Sequence, residues 1–169
     1  SIDRVIDEFD EEGLGLAAVL VCPIFANEGV PTVPLGYLQG VVDRVRARGA
    51  LVIFDEVQSG FGRTGNMWGY EYAGVIPDIV TLGKPMGNGH PIAGVVTATD
   101  IVNDFRESVM YFNTFGGNPV SCAVAQAVLD VIQEEQLVKN AEEVGAYLRS
   151  GLRQLQQRHD NVGDVRGPG

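Results

Sequence analysis

Leu51-Val52-Ile53-Phe54-Asp55-Glu56 is the stretch on which the fold turns. Four consecutive apolar residues, β-branched and aromatic among them, read as a strand covered on both faces, and such strands belong to parallel sheets. Asp55 and Glu56 sit at its C-terminal end. Upstream, Pro34 opens a segment with Leu35, Leu38, Val42 and Val45 at helical spacing, and Gly49 ends it as a left-handed cap. Further upstream, Ala17-Ala18-Val19-Leu20-Val21 is a second continuous apolar run, stopped by Pro23, and reads as another strand buried on both faces. Strand, helix, strand is the parallel crossover unit, so the fold class is α/β.

Downstream, a glycine-rich loop runs from Ser59 to Gly69. Ile79-Val80-Thr81-Leu82 and Gly94-Val95-Val96-Thr97 then read as two more short strands, with Lys84 just beyond the first. Asn118 caps a helix with Pro119 in its first turn, and Val120, Ala123, Val124, Ala127, Val128, Val131 and Ile132 give it a core-facing stripe. A further helix carries Leu137, Ala141, Val144, Leu148, Leu152 and Leu155 opposite a charged face, and is expected to leave the first domain. Residues 1–135 are thus expected to form one unit and residues 136–169 the start of a smaller one. Val162 to Gly169 reads as the lead-in to a further strand, so the chain is expected to be part of a longer protein.

A length of 169 residues suits one domain with part of a second. Hydrophobic residues at 45% and charged residues at 20% exclude disorder and fibrous architecture. A net charge of −10 opposes binding to nucleic acid phosphates or anionic membranes. No apolar run approaches the ~20 residues of a membrane-spanning helix. Ser1-Ile2-Asp3-Arg4 does not read as a signal or transit peptide. Cys22 and Cys122 form neither a metal-like pair nor a disulfide framework, and a reducing, cytoplasmic compartment is the expectation.

Three chemistries compete for the remaining motifs. Gly60-Phe61-Gly62-Arg63-Thr64-Gly65 matches G-x-G-x-x-G, but Asp55 to Ser59 separate it from the strand and Asn66-Met67-Trp68-Gly69 does not open a helix. A dinucleotide fingerprint needs both neighbours, so a turn-rich loop is the better reading. A serine or cysteine hydrolase lacks G-x-S-x-G, and Cys122 reads as a buried structural thiol. His90 and His159, the only histidines, have no partner at ligand spacing, so no metal site is expected. The third candidate is the pair Asp55 and Lys84, each at the C-terminal end of a strand, where open α/β sheets bind ligands.

The surroundings of that pair carry a resemblance. Asp55 through Gly65, Pro77-Asp78-Ile79-Val80-Thr81-Leu82-Gly83-Lys84, Gly87-Asn88-Gly89-His90-Pro91-Ile92 and Phe112-Asn113-Thr114-Phe115-Gly116-Gly117-Asn118-Pro119 resemble the class III aminotransferases, in order and from about Leu14 to the C-terminus. The resemblance implies a partial fold type I large domain, a mostly parallel sheet flanked by helices, followed by the start of a small C-terminal domain. It also implies pyridoxal 5′-phosphate as cofactor. The lysine matching Lys84 forms a Schiff base with the cofactor aldehyde and moves protons, and burial beside the cofactor lowers such a lysine's pKa. The aspartate matching Asp55 keeps the pyridine nitrogen protonated. Val57 is expected on one ring face, the Gln58 amide near the ring hydroxyl, and Glu56 in ordering the loop. Thr114 matches the threonine that reaches the cofactor phosphate of a neighbouring subunit, which implies a homodimer; the alternative is that Thr114 satisfies a loop turn.

The resemblance implies amino transfer between an amine or amino acid and a 2-oxo acid or aldehyde. Cys22-Pro23 stands where many members carry Glu-Pro, which counts against ornithine- and aminobutyrate-type substrates. The motifs around Gly87, Tyr111 and Gly163 look closer to the branch of alanine–glyoxylate-type aminotransferases and of phospho-lyases acting on amino-alcohol phosphates. Phosphate elimination is therefore the alternative within the class, and a noncatalytic dimerisation or scaffold role is the alternative outside it.

Overall fold

The computed structural model describes residues 1–169. Helix α1 spans Ile2–Glu11, strand β1 Ala18–Val21, α2 Tyr37–Ala47, β2 Leu51–Asp55, α3 Gly69–Ala73 and β3 Ile79–Leu82. Strand β4 follows at Gly94–Thr97, then α4 Thr99–Ser108, α5 Pro119–Glu134 and α6 Leu137–Gln156. The four strands form one sheet in the order β1-β2-β3-β4. The first three run parallel, with Val21 opposite Phe54 and Asp55 opposite Thr81, and β4 is antiparallel to β3. This is the expected α/β architecture.

The best-packed part is the crossover unit. Leu38, Val42 and Val45 of α2 close on Val52 and Phe54 of β2, with Ala50 and Val75 completing the buried cluster. The helix ends as its sequence dictates. Gly49 takes a φ of +70°, its N–H donates to Arg46 O, and Ala50 N–H donates to Val45 O, a paired closure that a left-handed residue permits. Its start comes later than Pro34, because Pro34 O instead accepts from Tyr37 N in a turn and Gly36 adopts a φ of +78°. Asp78 fastens the same N-terminal end of β2 to the end of α2 by accepting from Val52 N at 2.7 Å and from Arg46 at 2.9 Å.

Several expectations are corrected. β1 is not buried on both faces: it lies at the sheet edge and Leu20 is 64% exposed. The stripe on α5 forms as a helix capped by Asn118, whose Oδ1 accepts from Ser121 N at 2.9 Å, yet only Ala125 is buried and Val120 is 67% exposed. Within residues 1–169 nothing covers most of that stripe. For the same reason Cys122 is exposed rather than buried. A short helix, α3, does open at Gly69, drawn there by an acceptor far upstream that is described below. Helices α1 and α4 were not read from the sequence, since α1 is dominated by charge and α4 buries no residue. α1 is held to α2 by Arg44–Asp3 at 2.7 Å and by Arg48 against Asp10, exposed pairs that contribute little stability.

Candidate active site

Parallel pairing of β2 and β3 brings their C-terminal ends side by side. Asp55, the last residue of β2, has its Oδ1 engaged twice: Val57 N–H donates to it at 2.9 Å and the Thr81 hydroxyl at 3.3 Å. Thr81 is its register partner on β3. No protein group donates to Oδ2, and the side chain is only half-buried. One carboxylate oxygen is thus fixed, and the other is open to an external donor.

Three residues past Thr81, the chain enters a single 3-10 turn, Lys84–Met86, with Lys84 at a φ of +34°. A non-glycine residue in that region stores strain of about 1–3 kcal/mol, which persists only where neighbours enforce it. The enforcement is visible. A Cβ on Gly87 would collide with His90 O, so the turn is wound at backbone contact, and His90 Nε2 is 2.8 Å from Ser121 Oγ at the start of α5. Lys84 Nζ makes no hydrogen bond or ion pair. The burial expected of this lysine is not provided by residues 1–169: Lys84 is exposed, because nothing in this segment closes over it.

Val57 and Gln58 flank the pair. A methyl group of Val57 lies 3.5 Å from where a Cβ on Gly83 would be, which places it against the backbone that leads into Lys84. The Gln58 amide donates to Asn27 Oδ1 at 2.9 Å, a bond to the loop after β1 that the sequence did not foretell. Glu56 orders the loop, as expected, with Ser59 Oγ, Gly69 N and Tyr70 N as its donors.

Thr114 is not brought to Asp55 and Lys84. It is exposed and makes no hydrogen bond. The turn around it is satisfied by Asn113, whose Oδ1 accepts from Phe115 N and Gly116 N, so the loop-turn alternative for Thr114 fails in this chain. The loop from Gly60 to Gly65 lies against α6, with Val138 and Glu142 packed on Gly62 and Gly65.

An open carboxylate oxygen and an unpaired primary amine thus stand past the C-terminal ends of two parallel strands, where open α/β sheets bind ligands. The family model described as aminotransferase class-III matches residues 2–169. The chain is 46% identical over 170 residues to alanine–glyoxylate aminotransferase 2-like of Drosophila melanogaster, covering 99% of this chain and 34% of that protein. A phospholyase from Arthrobacter in complex with phosphoethanolamine superposes with a TM-score of 0.97 at 50% identity, over 99% of this chain and 40% of that one. The ornithine aminotransferase of Toxoplasma gondii, described with partial occupancy of PLP at its active site, superposes at 0.83 with 36% identity, over 90% of this chain and 36% of that one. The chain belongs to the class III aminotransferase family. It spans about a third of the length of the curated relatives it matches.

Class III aminotransferases use pyridoxal phosphate, and the residues present fit two ends of that group. Asp55 Oδ2, without a protein donor, suits a protonated ring nitrogen, and Lys84 Nζ, without a partner, suits the aldehyde.

Proposed function

We propose that these residues are the chemical centre of a pyridoxal-phosphate-dependent aminotransferase, which moves an amino group between an amine or amino acid and a 2-oxo acid or aldehyde. The observation that carries this reading is the open Asp55 oxygen at the end of β2 and the unpaired Lys84 amine in the turn that follows its neighbour β3, in a chain of this family. When bound, the cofactor supplies an electron sink next to the substrate's α-carbon. Asp55 holds the ring-nitrogen proton, and its fixed Oδ1 keeps the carboxylate aimed. Lys84 Nζ attaches the cofactor and carries a proton to and from the substrate carbon. Val57 would cover one ring face, and Gln58, whose amide donates to Asn27, would present its side chain toward the ring hydroxyl. Thr114 serves the phosphate of a second copy, which explains why its own chain leaves it free, and the working unit is a homodimer. Residues 1–135 carry the cofactor end of the site, and residues 136–169 begin the smaller domain.

A second reading, phosphate elimination from an amino-alcohol phosphate, is supported by the close superposition on the phospholyase described with phosphoethanolamine. Both chemistries need the same Asp55 and Lys84. The test starts from the full-length polypeptide mixed with pyridoxal phosphate, reduced with borohydride and mapped by peptide mass spectrometry. A single pyridoxyl adduct at Lys84, absent in Lys84→Ala, supports the site. Scattered labelling, or none, refutes it and leaves the scaffold role. Incubation with amino donors plus a 2-oxo acid, and separately with phosphoethanolamine, then divides the two readings by amino-acid formation or phosphate release.

A further inference from the structure

Glu56 is completely buried, and no cation accompanies it. A carboxylate in such a place is costly unless donors satisfy it. Three do so: Ser59 Oγ at 2.6 Å and Gly69 N at 2.8 Å on Oε2, and Tyr70 N at 2.8 Å on Oε1. Two of them are backbone groups of the first turn of α3, thirteen and fourteen residues further along the chain. The main chain of Glu56 is held as well, since its N–H donates to Thr81 O at 3.0 Å and its carbonyl accepts from Gly60 N at 2.9 Å. Space is equally constrained: a Cβ on Gly69 would lie 2.5 Å from the Ser59 Cβ, and one on Gly60 would lie 2.9 Å from Glu56 O.

We propose that Glu56 is a positioning residue for Asp55. By clamping the turn from Asp55 to Gly60 between β3 and α3, it fixes the Val57 N–H that pins Asp55 Oδ1, and so determines where the free Oδ2 points. The proposal rests on the reading of Asp55 as partner of the cofactor's ring nitrogen. Glutamate suits the position because an ionised carboxylate only accepts, and all three neighbours donate. Glutamine would turn an N–H₂ group toward at least one of them and leave a buried backbone N–H facing another donor.

The experiment compares wild type, Glu56→Gln and Ser59→Ala in the full-length polypeptide. It measures pyridoxal phosphate affinity by spectroscopic titration, the pH midpoint of the bound cofactor's visible absorption change, kcat and KM for the amino donor, and thermal unfolding. Glu56→Gln is expected to weaken cofactor binding about tenfold, the equivalent of one buried N–H losing its acceptor. The pH midpoint should move and kcat should fall more than KM changes, because Asp55 is misaimed and substrate contacts are untouched. Ser59→Ala keeps both backbone donors on Glu56 and should give the same pattern at about two- to threefold. If Glu56→Gln lowers only the unfolding temperature, with affinity and pH midpoint as in wild type, the role is structural and the proposal is overturned. Should Glu56→Gln fail to fold, Ser59→Ala decides: a displaced midpoint supports the proposal, and an unmoved one overturns it. A wild type that forms no Lys84 adduct removes the cofactor reading, and the proposal falls with it.

Discussion

From Asp55 to Tyr70 the chain turns its polar groups inward, with Glu56, Ser59 and Thr64 buried beside Phe61, and the Glu56 and Ser59 side chains meet donors or acceptors within the segment. From Val109 to Phe115 it does the reverse: every residue is exposed, Met110 at 97%, Phe112 at 80% and Phe115 at 79%, and their hydrogen bonds are local. Both segments carry residues assigned to the same proposed site. The first is built by its own chain, because three donors on the buried Glu56 carboxylate fix it, with only the buried Thr64 hydroxyl left without a partner. The second exposes Met110, Phe112 and Phe115 within a few residues of one another, and large apolar side chains gathered at a surface mark an interaction face. The homodimer proposed above, in which Thr114 crosses to the other copy, would cover that face.

The largest effect belongs to Lys84→Ala in the full-length polypeptide, which should lower turnover by about 10²–10⁴-fold or more, in steady-state assays of amino transfer. Retained turnover there would end the assignment of the ordered half of the site. Next, Phe54→Ala empties a fully buried position under α2 and should cost about 3–5 kcal/mol by denaturant unfolding. Asp78→Ala removes the acceptor of the buried Val52 N–H and should cost about 1–3 kcal/mol in the same measurement. Phe112→Ser, by contrast, should leave unfolding within about 0.5 kcal/mol of wild type under conditions where the chain is monomeric. The same variant should weaken self-association in sedimentation analysis. A stability loss like that of Phe54→Ala would show that the 109–115 loop packs on its own chain after all.

The smallest effect is on the alkaline side. The Tyr70 phenol is pushed above its ordinary 10.0 by burial first, then by Glu71 and Glu56. A phenol held protonated by the fold contributes stability that is fully present below pH 10.0 and is lost as the pH rises through its raised folded value. Unfolding followed above pH 10 should therefore decline less steeply for Tyr70→Phe than for wild type, and by only a small margin, because the side chain is partly solvated.

How much was legible in the sequence depended on the range of the interaction. The Gly49 closure and the Asn118 cap rest on neighbours within a few residues, and the strands at Ile79–Leu82 and Gly94–Thr97 announce themselves as short apolar runs although their partners are distant, so all four were legible. The start of α3 was missed because its first N–H groups meet Glu56, more than a dozen residues back. The Gln58–Asn27 bond was missed for the same reason. The apolar stripe of α5 was legible as a helix but not as an exposed one, since periodicity names a face to be covered without saying what covers it.

The α/β class and the placement of Asp55 and Lys84 past strand ends were legible in the chain, because apolar period and turn chemistry act locally, and the family was legible in the motifs around the pair. Only the tertiary structure decided that Asp55 has one fixed and one open oxygen, that Lys84 sits strained and uncovered, and that Glu56 gathers the turn between them. Those facts depend on which distant backbone groups a fold brings within hydrogen-bonding distance, and no local pattern in the chain encodes that distance.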